Sequence, residues 1–214
     1  MKLRCVLNWA LAAAVAGVVI APPFALYRAQ YAATKRFREV TPGRFYRSGQ
    51  MNATGFRDAI DRFGIRTVVN LQHENTDPHL SETWLGKKVI HEKELCEQLN
   101  VRYVLLTPDI LPEPNDVTKV PPAVPEFLKL LDDESAYPIL IHCKAGLHRT
   151  GRLTAVYRME KEGWDVGPAL RELRANGYGF VAASEGDDFV VQFVQNYRPR
   201  RERGEPQAAG GGAP

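Results

Sequence analysis

The chain has 214 residues, 44% of them apolar and 25% charged, ordinary globular values that exclude a fibrous or wholly disordered protein and suit one medium domain with extensions. Its net charge of +3 conceals an asymmetry, because residues 1–48 carry eight Lys or Arg against the single acid Glu39 and the remainder is net acidic. That distribution argues against a nucleic-acid-binding face on the main domain, and makes the basic front either a neighbour of anionic lipid or a solvated linker.

From Cys5 through Tyr27 no residue is charged, and Val6 to Leu26 is long enough to cross a hydrocarbon core at about 1.5 Å per residue. A transmembrane helix is expected, ended by Pro22 and Pro23. The rival is a secretory signal, cleaved to leave an exported protein. A cut would want small residues in an A-x-A arrangement, and the prolines spoil both sites near Ala21 and Ala25, which favours an uncleaved single-pass membrane anchor. Basic residues on the two sides nearly balance, leaving orientation open. Residues 1–41, anchor and basic connector, are expected to add nothing to the chemistry.

The next elements follow from period and punctuation. Arg44 to Ser48 reads as extended. Asn52 caps a short helix with Phe56, Ile60 and Phe63 on one face, and Gly64 ends it. Thr67 to Leu71 reads as a buried strand. Ser81 is read as the cap of a longer helix carrying Trp84, Leu85, Val89, Leu95 and Leu99, followed by a strand over Val101 to Leu106. A Pro-rich loop holds Asp109, Glu113 and Asp116. A helix with Val124, Phe127, Leu128 and Leu131 then leads to the apolar run Pro138 to Ile141. Three helices follow, over 149–161, 167–175 and 186–197, the last two capped by Asp165 and Ser184. The order βαβαβαβ then ααα predicts an α/β fold, a central sheet flanked by helices, over residues 42–197. Residues 198–214, rich in Arg, Pro, Gly and Ala without an apolar face, are expected to be disordered.

The cysteines Cys5, Cys96 and Cys143 show no CxxC or zinc spacing, so no disulfide framework, metal or cofactor is expected. Cys96 falls on an apolar helix side, as a small hydrophobe or a redox partner of Cys143.

Between the buried run and the next helix stands His142-Cys143-Lys144-Ala145-Gly146-Leu147-His148-Arg149-Thr150-Gly151. A bare C-x5-R would arise by chance about one time in five at average composition; the flanking His, inner Gly and following Thr-Gly reduce that to roughly one in a hundred thousand. A strand-to-helix turn aims successive backbone N–H groups at one point, and the helix N-terminus adds partial positive charge, making a cradle for a phosphate dianion. Gly146 permits the tight turn. The same field, with Arg149 beside it, favours the nucleophilic thiolate of Cys143. Arg149 can bind two phosphate oxygens through its planar fork.

The run resembles the HCxxGxxR[ST]G loop of cysteine-dependent protein tyrosine and dual-specificity phosphatases. The lead-in Phe45-Tyr46-Arg47-Ser48-Gly49-Gln50, with Arg66-Thr67-Val68-Val69-Asn70-Leu71, is similar to atypical dual-specificity members of bacteria, fungi and plants. The resemblance implies hydrolysis of phosphoprotein or phosphorylated small-molecule substrates through a phosphocysteine. It implies that Thr150 donates its hydroxyl to the sulfur when the intermediate breaks down, that His142 orients the loop, and that an aspartic acid on the preceding loop protonates the leaving group. Asp109 stands at the family's usual separation from Cys143; Asp116 and Glu113 are the alternatives. Lys144, Ala145, Gly146, Leu147 and His148 would surround the bound phosphate. Lys144 and His148 resemble relatives that act on inositol phosphates, whereas Leu147 departs from their further basic residue. A phosphate-binding pseudoenzyme and a rhodanese-like sulfur transferase are the rival classes.

Overall fold

The computed structural model describes residues 2–82, 88–106, 123–177 and 185–206. Helix α1 spans Lys2–Thr34, about 50 Å at 1.5 Å per residue. It runs through Pro22 and Pro23, where the sequence led us to expect a stop. Proline's fixed φ is itself helical, so the helix continues and forgoes the bonds to the carbonyls of Val18 and Val19, four residues back. The segment Asn8–Thr34 is long and apolar enough to cross a membrane, and Trp9, Val18 and Leu26 stand exposed along it.

Strands β1 (Arg38–Thr41) and β2 (Phe45–Gly49) lead to helix α2 (Ala53–Phe63). Asn52 caps α2 by accepting from the Gly55 amide, and Gly64 ends it at φ 61°, as the sequence predicts. The last turns of α1 rest on α2, and a Cβ on Gly55 would lie 1.8 Å from the Ala33 carbonyl oxygen, so this approach requires glycine.

After β3 (Thr67–Asn70) the long helix expected from Ser81 is replaced by two strands, β4 (His79–Ser81) and β5 (Val89–His91), and the short helix α3 (Glu92–Gln98). The strands pair antiparallel with Leu80 opposite Ile90. The β-branched pair Val89-Ile90 favours this pleat, burying Ile90 and exposing Val89. Ser81 lies in a strand; Trp84 and Leu85 fall outside the described residues. Strand β6 (Arg102–Leu105), helix α4 (Ala123–Asp132) and strand β7 (Ile139–Cys143) follow. Helices α5 (His148–Lys161), α6 (Val166–Ala175), α7 (Glu185–Asn196) and α8 (Arg200–Arg203) come last among the described residues. Asp165 occupies the cap position of α6 without a side-chain bond.

Among the described residues the main sheet has the order β1-β2-β7-β3-β6. All its pairings are parallel except β1 with β2. Strand β7 is buried from end to end at the centre. Its side chains alternate between two cores, Ile139, Ile141 and Cys143 packing with α4, α5 and α7, and Leu140 with α2 and α3. Covered on both faces, the sheet places the end of β7 and the start of α5 at its carboxyl edge, where ligands bind in open α/β sheets.

The packed unit extends past 42–197 on both sides. Strand β1 begins at Arg38. Disorder is expected from residue 198 on; up to residue 206, where the described residues end, the chain instead forms α8, whose buried Arg200 donates to Asp132 at 2.6 and 3.0 Å and to Glu160 at 3.0 Å. Ion pairing holds this segment, which an apolar face was not needed to do.

Candidate active site

The loop from Cys143 to Arg149 joins the central strand to the most enclosed helix. Cys143 ends β7 at 5% exposure. The Gly146 amide donates to its sulfur at 3.2 Å. Gly146 has φ 74°, and a Cβ there would lie 2.5 Å from the Gly49 nitrogen, so the turn is closed to larger residues.

Three successive carbonyls of the loop are held from outside. The Gln50 amide donates to Lys144 O at 3.2 Å, Arg36 Nη1 to Ala145 O at 2.9 Å, and Arg47 Nη2 to Gly146 O at 2.9 Å. In a planar trans peptide the N–H points opposite to the C=O. Turning these carbonyls outward therefore turns the amides of Ala145, Gly146 and Leu147 inward, as an anion cradle needs.

Arg149 is buried on the first turn of α5. Its Nη1 donates to Leu71 O at 3.2 Å and to both Glu74 carboxylate oxygens at 3.1 and 2.8 Å. Burial works against the Glu74 charge, yet its own amide and the Arg149 side chain hold the carboxyl below its ordinary range. Lys144 and His148 are exposed, and Ala145 and Leu147 are half-buried.

Among the described residues the buried Thr150 hydroxyl has no hydrogen-bond partner. The His142 Nε2 lies 2.7 Å from Glu92 Oε1, with both side chains fully buried, while among the described residues Nδ1 has no partner. Glu92 also accepts from Gln50 Nε2 at 2.9 Å, and Gln50 accepts from Gln72. This buried relay links His142 to the strand end behind the loop. Asp109, Asp116 and Glu113 lie outside the described residues.

Burial pushes the Cys96 thiol up to about 12, with Glu92 adding to the shift. Cys96 belongs to the core on the opposite sheet face from Cys143, so it is an apolar filler rather than a disulfide partner. Among the described residues no group of three His, Cys, Asp or Glu side chains is placed to hold a metal ion.

Sequence reasoning missed Arg36, Arg47, Glu74 and Glu92 as parts of the site. Arg47 lay in the quoted lead-in with no role attached, and Arg36 was read as one charge in a linker. Glu74 and Glu92 carried no local signal, since each acts on a residue 50 or more positions away.

Comparison with known proteins agrees with this geometry. The family model described as "DSP-PTPase phosphatase fused to NAD+ Kinase" matches residues 21–187. The chain is 32% identical over 138 residues to the dual specificity protein phosphatase TpbA of Pseudomonas aeruginosa, a match covering 63% of this chain and 51% of TpbA. It thus spans about half the length of that relative. A 51-residue stretch is 43% identical to the inositol diphosphatase DSP3 of Arabidopsis thaliana, covering 24% of this chain and 25% of DSP3. The catalytic core of the PP-IP phosphatase SIW14 from S. cerevisiae has the same fold, with a TM-score of 0.54 at 19% identity over 73% of this chain and 83% of that one. With a strand-loop-helix phosphate cradle at its centre and a family match along most of its length, the chain belongs to the DSP-PTPase family, in its atypical dual-specificity branch.

Proposed function

We propose that the protein hydrolyses phosphate monoesters by transfer of the phosphoryl group to Cys143 and then to water. The observation that carries this reading is the Ala145–Gly146 peptide, whose N–H donates to the Cys143 sulfur and whose carbonyl faces away from it. Sulfur and phosphate oxygens would meet the same ring of inward amides, which stabilises the thiolate before attack and the equatorial oxygens during it. In this reading the Cys143 sulfur forms the S–P bond as the P–O bond to the leaving group breaks. Arg149, its Nη1 tethered by Glu74, grips the phosphate. Asp109 gives the leaving oxygen its proton and then takes one from the attacking water, as the S–P bond breaks and the thiolate leaves; the unpartnered Thr150 hydroxyl would turn to donate to the sulfur at this step.

Phosphotyrosine or dual-specificity phosphoprotein substrates are the principal reading, supported by the name of the TpbA relative. The exposed Lys144 and His148 side chains at the loop mouth favour a second, inositol phosphates, which the SIW14 and DSP3 names also support. The exposed apolar length of α1 supports a membrane anchor within residues 1–41, a cleaved export signal being the alternative. The test is phosphate release from p-nitrophenyl phosphate, with vanadate inhibition, by wild type and Cys143→Ser. The wild type should turn over, and the variant should retain phosphate binding and lose turnover. Retention of a tenth of the activity would remove Cys143 from the nucleophile role.

A further inference from the structure

Arg36 belongs to the segment between α1 and β1, outside every element of the loop it touches. Its Nη1 donates to Ala145 O at 2.9 Å, across 109 positions of sequence. The Ala145 carbonyl and the Gly146 N–H are two ends of one peptide, and that N–H lies on the Cys143 sulfur at 3.2 Å. Holding the one end aims the other. A cation on the carbonyl also polarises the peptide and strengthens its N–H as a donor.

The turn that delivers Arg36 is built for the purpose. Lys35 and Arg36 have φ of 22° and 59°, a backbone region that non-glycine residues rarely occupy. Such strain persists where surrounding contacts over-determine it. Here the Gly49 amide donates to Lys35 O at 2.8 Å and the Asn52 amide to Ala32 O at 2.9 Å. Phe37, next along, stacks on Tyr46 and Phe63 at 5.7 and 5.0 Å between ring centroids. The Arg36 guanidinium itself lies 5.8 Å from the centre of the Tyr31 ring. Lys35 adds charge at the same edge. Its ammonium is held below its ordinary value by burial first and by Arg36 next, with Cys143 pulling the other way.

We propose that Arg36 is a positioning residue of the active site, through which the end of the N-terminal helix fixes the peptide that holds the Cys143 sulfur. The proposal rests on the reading of Cys143 as the nucleophile. It makes the seating of α1 on the domain a condition of full activity, because displacing the helix end withdraws one of the loop's three outer donors.

Full-length protein in detergent, as wild type, Arg36→Ala and Arg36→Lys, provides the test. Three quantities are read: the pH dependence of Cys143 alkylation by iodoacetamide, inhibition by orthovanadate, and kcat and KM on p-nitrophenyl phosphate. Arg36→Ala should move alkylation to higher pH, weaken vanadate by about tenfold and lower kcat/KM by up to roughly a hundredfold, the scale of a misplaced catalytic group. Arg36→Lys, which restores one donor and the charge, should recover part of each loss. An unchanged alkylation profile and vanadate affinity in Arg36→Ala would overturn the proposal. So would a lowered melting temperature with the profile unmoved, which would make Arg36 merely structural. If wild type hydrolyses no phosphate ester, the phosphatase reading fails by itself, since alkylation reports on Arg36 without turnover.

Discussion

Arg47 stands at 3% exposure under the phosphate loop, and burial brings its guanidinium down to about 10 against the opposing pull of Glu172 and Cys143. It therefore stays charged at neutral pH, and its Nη2 remains a fixed donor to Gly146 O. Burying a charge in this way is costly unless its hydrogen bonds are good, which is why such a residue marks a place where geometry matters more than stability. The leaving-group acid belongs to the same scale. If Asp109 fills that role, Asp109→Asn should slow hydrolysis of alkyl phosphates by roughly two to four orders of magnitude. Nitrophenyl esters, whose leaving group departs with little protonation, should suffer far less. Asp116→Asn, run in parallel, should show no such gradient; the reverse pattern would exchange the two roles.

At the scale of elements, the junction of α1 with the domain decides how the protein can be cut. The sequence suggests that residues 1–40 are dispensable. The structure places Ala32, Ala33, Lys35 and Arg36 against Asn52, Gly55, Gly49 and Ala145. Protein beginning at Arg28 should be soluble and active, whereas protein beginning at Thr41 should lose most activity and melt earlier. Equal kcat/KM for the two would show that the junction is idle. The phosphate loop was legible in the sequence because its parts are contiguous and each residue type has its own demand. Helix α2 was legible through period and caps, β7 as a bounded apolar run, and α5 as the helix that the phosphate loop leads into. The β4–β5 pair was not, since Ser81 followed by scattered apolar residues satisfies a helical period until the register of Leu80 with Ile90 is known. Nor were the outer donors of the loop, which come from remote segments and obey no local pattern.

Over the whole molecule, charge holds what the apolar cores leave open. Arg200, Asp132, Glu160 and Lys161 tie the C-terminal turn to α4 and α5, with Arg200 to Asp132 at 2.6 Å and Lys161 to Asp132 at 2.8 Å. Hydrogen bonding by Arg200 first, opposed by burial and then reinforced by Lys161, holds the Asp132 carboxyl below its ordinary value. A carboxyl depressed in the folded state adds stability that is fully present above its unfolded pKa, near 4, and lost as pH falls through the folded value. Arg200→Ala should therefore cost about 3 kcal/mol at pH 7, because it leaves the buried Glu160 and the half-buried Asp132 carboxylates short of a partner. Urea unfolding should show that gap beginning to narrow as pH falls below about 4, where the unfolded chain takes up the proton, and closing further as pH falls through the lower folded pKa of Asp132. A gap independent of pH would assign the loss to packing alone.

The central claim is that phosphate passes through Cys143, and the most direct measurement is to trap it there. Enzyme mixed with p-nitrophenyl phosphate is quenched in acid during turnover, digested and mapped by mass spectrometry. The account predicts a phosphoryl group on the peptide containing Cys143, absent from Cys143→Ser and lost on return to conditions that permit hydrolysis. Turnover by wild type with the phosphoryl group on His142, His148 or an acidic residue, or an undiminished rate in Cys143→Ser, would contradict it.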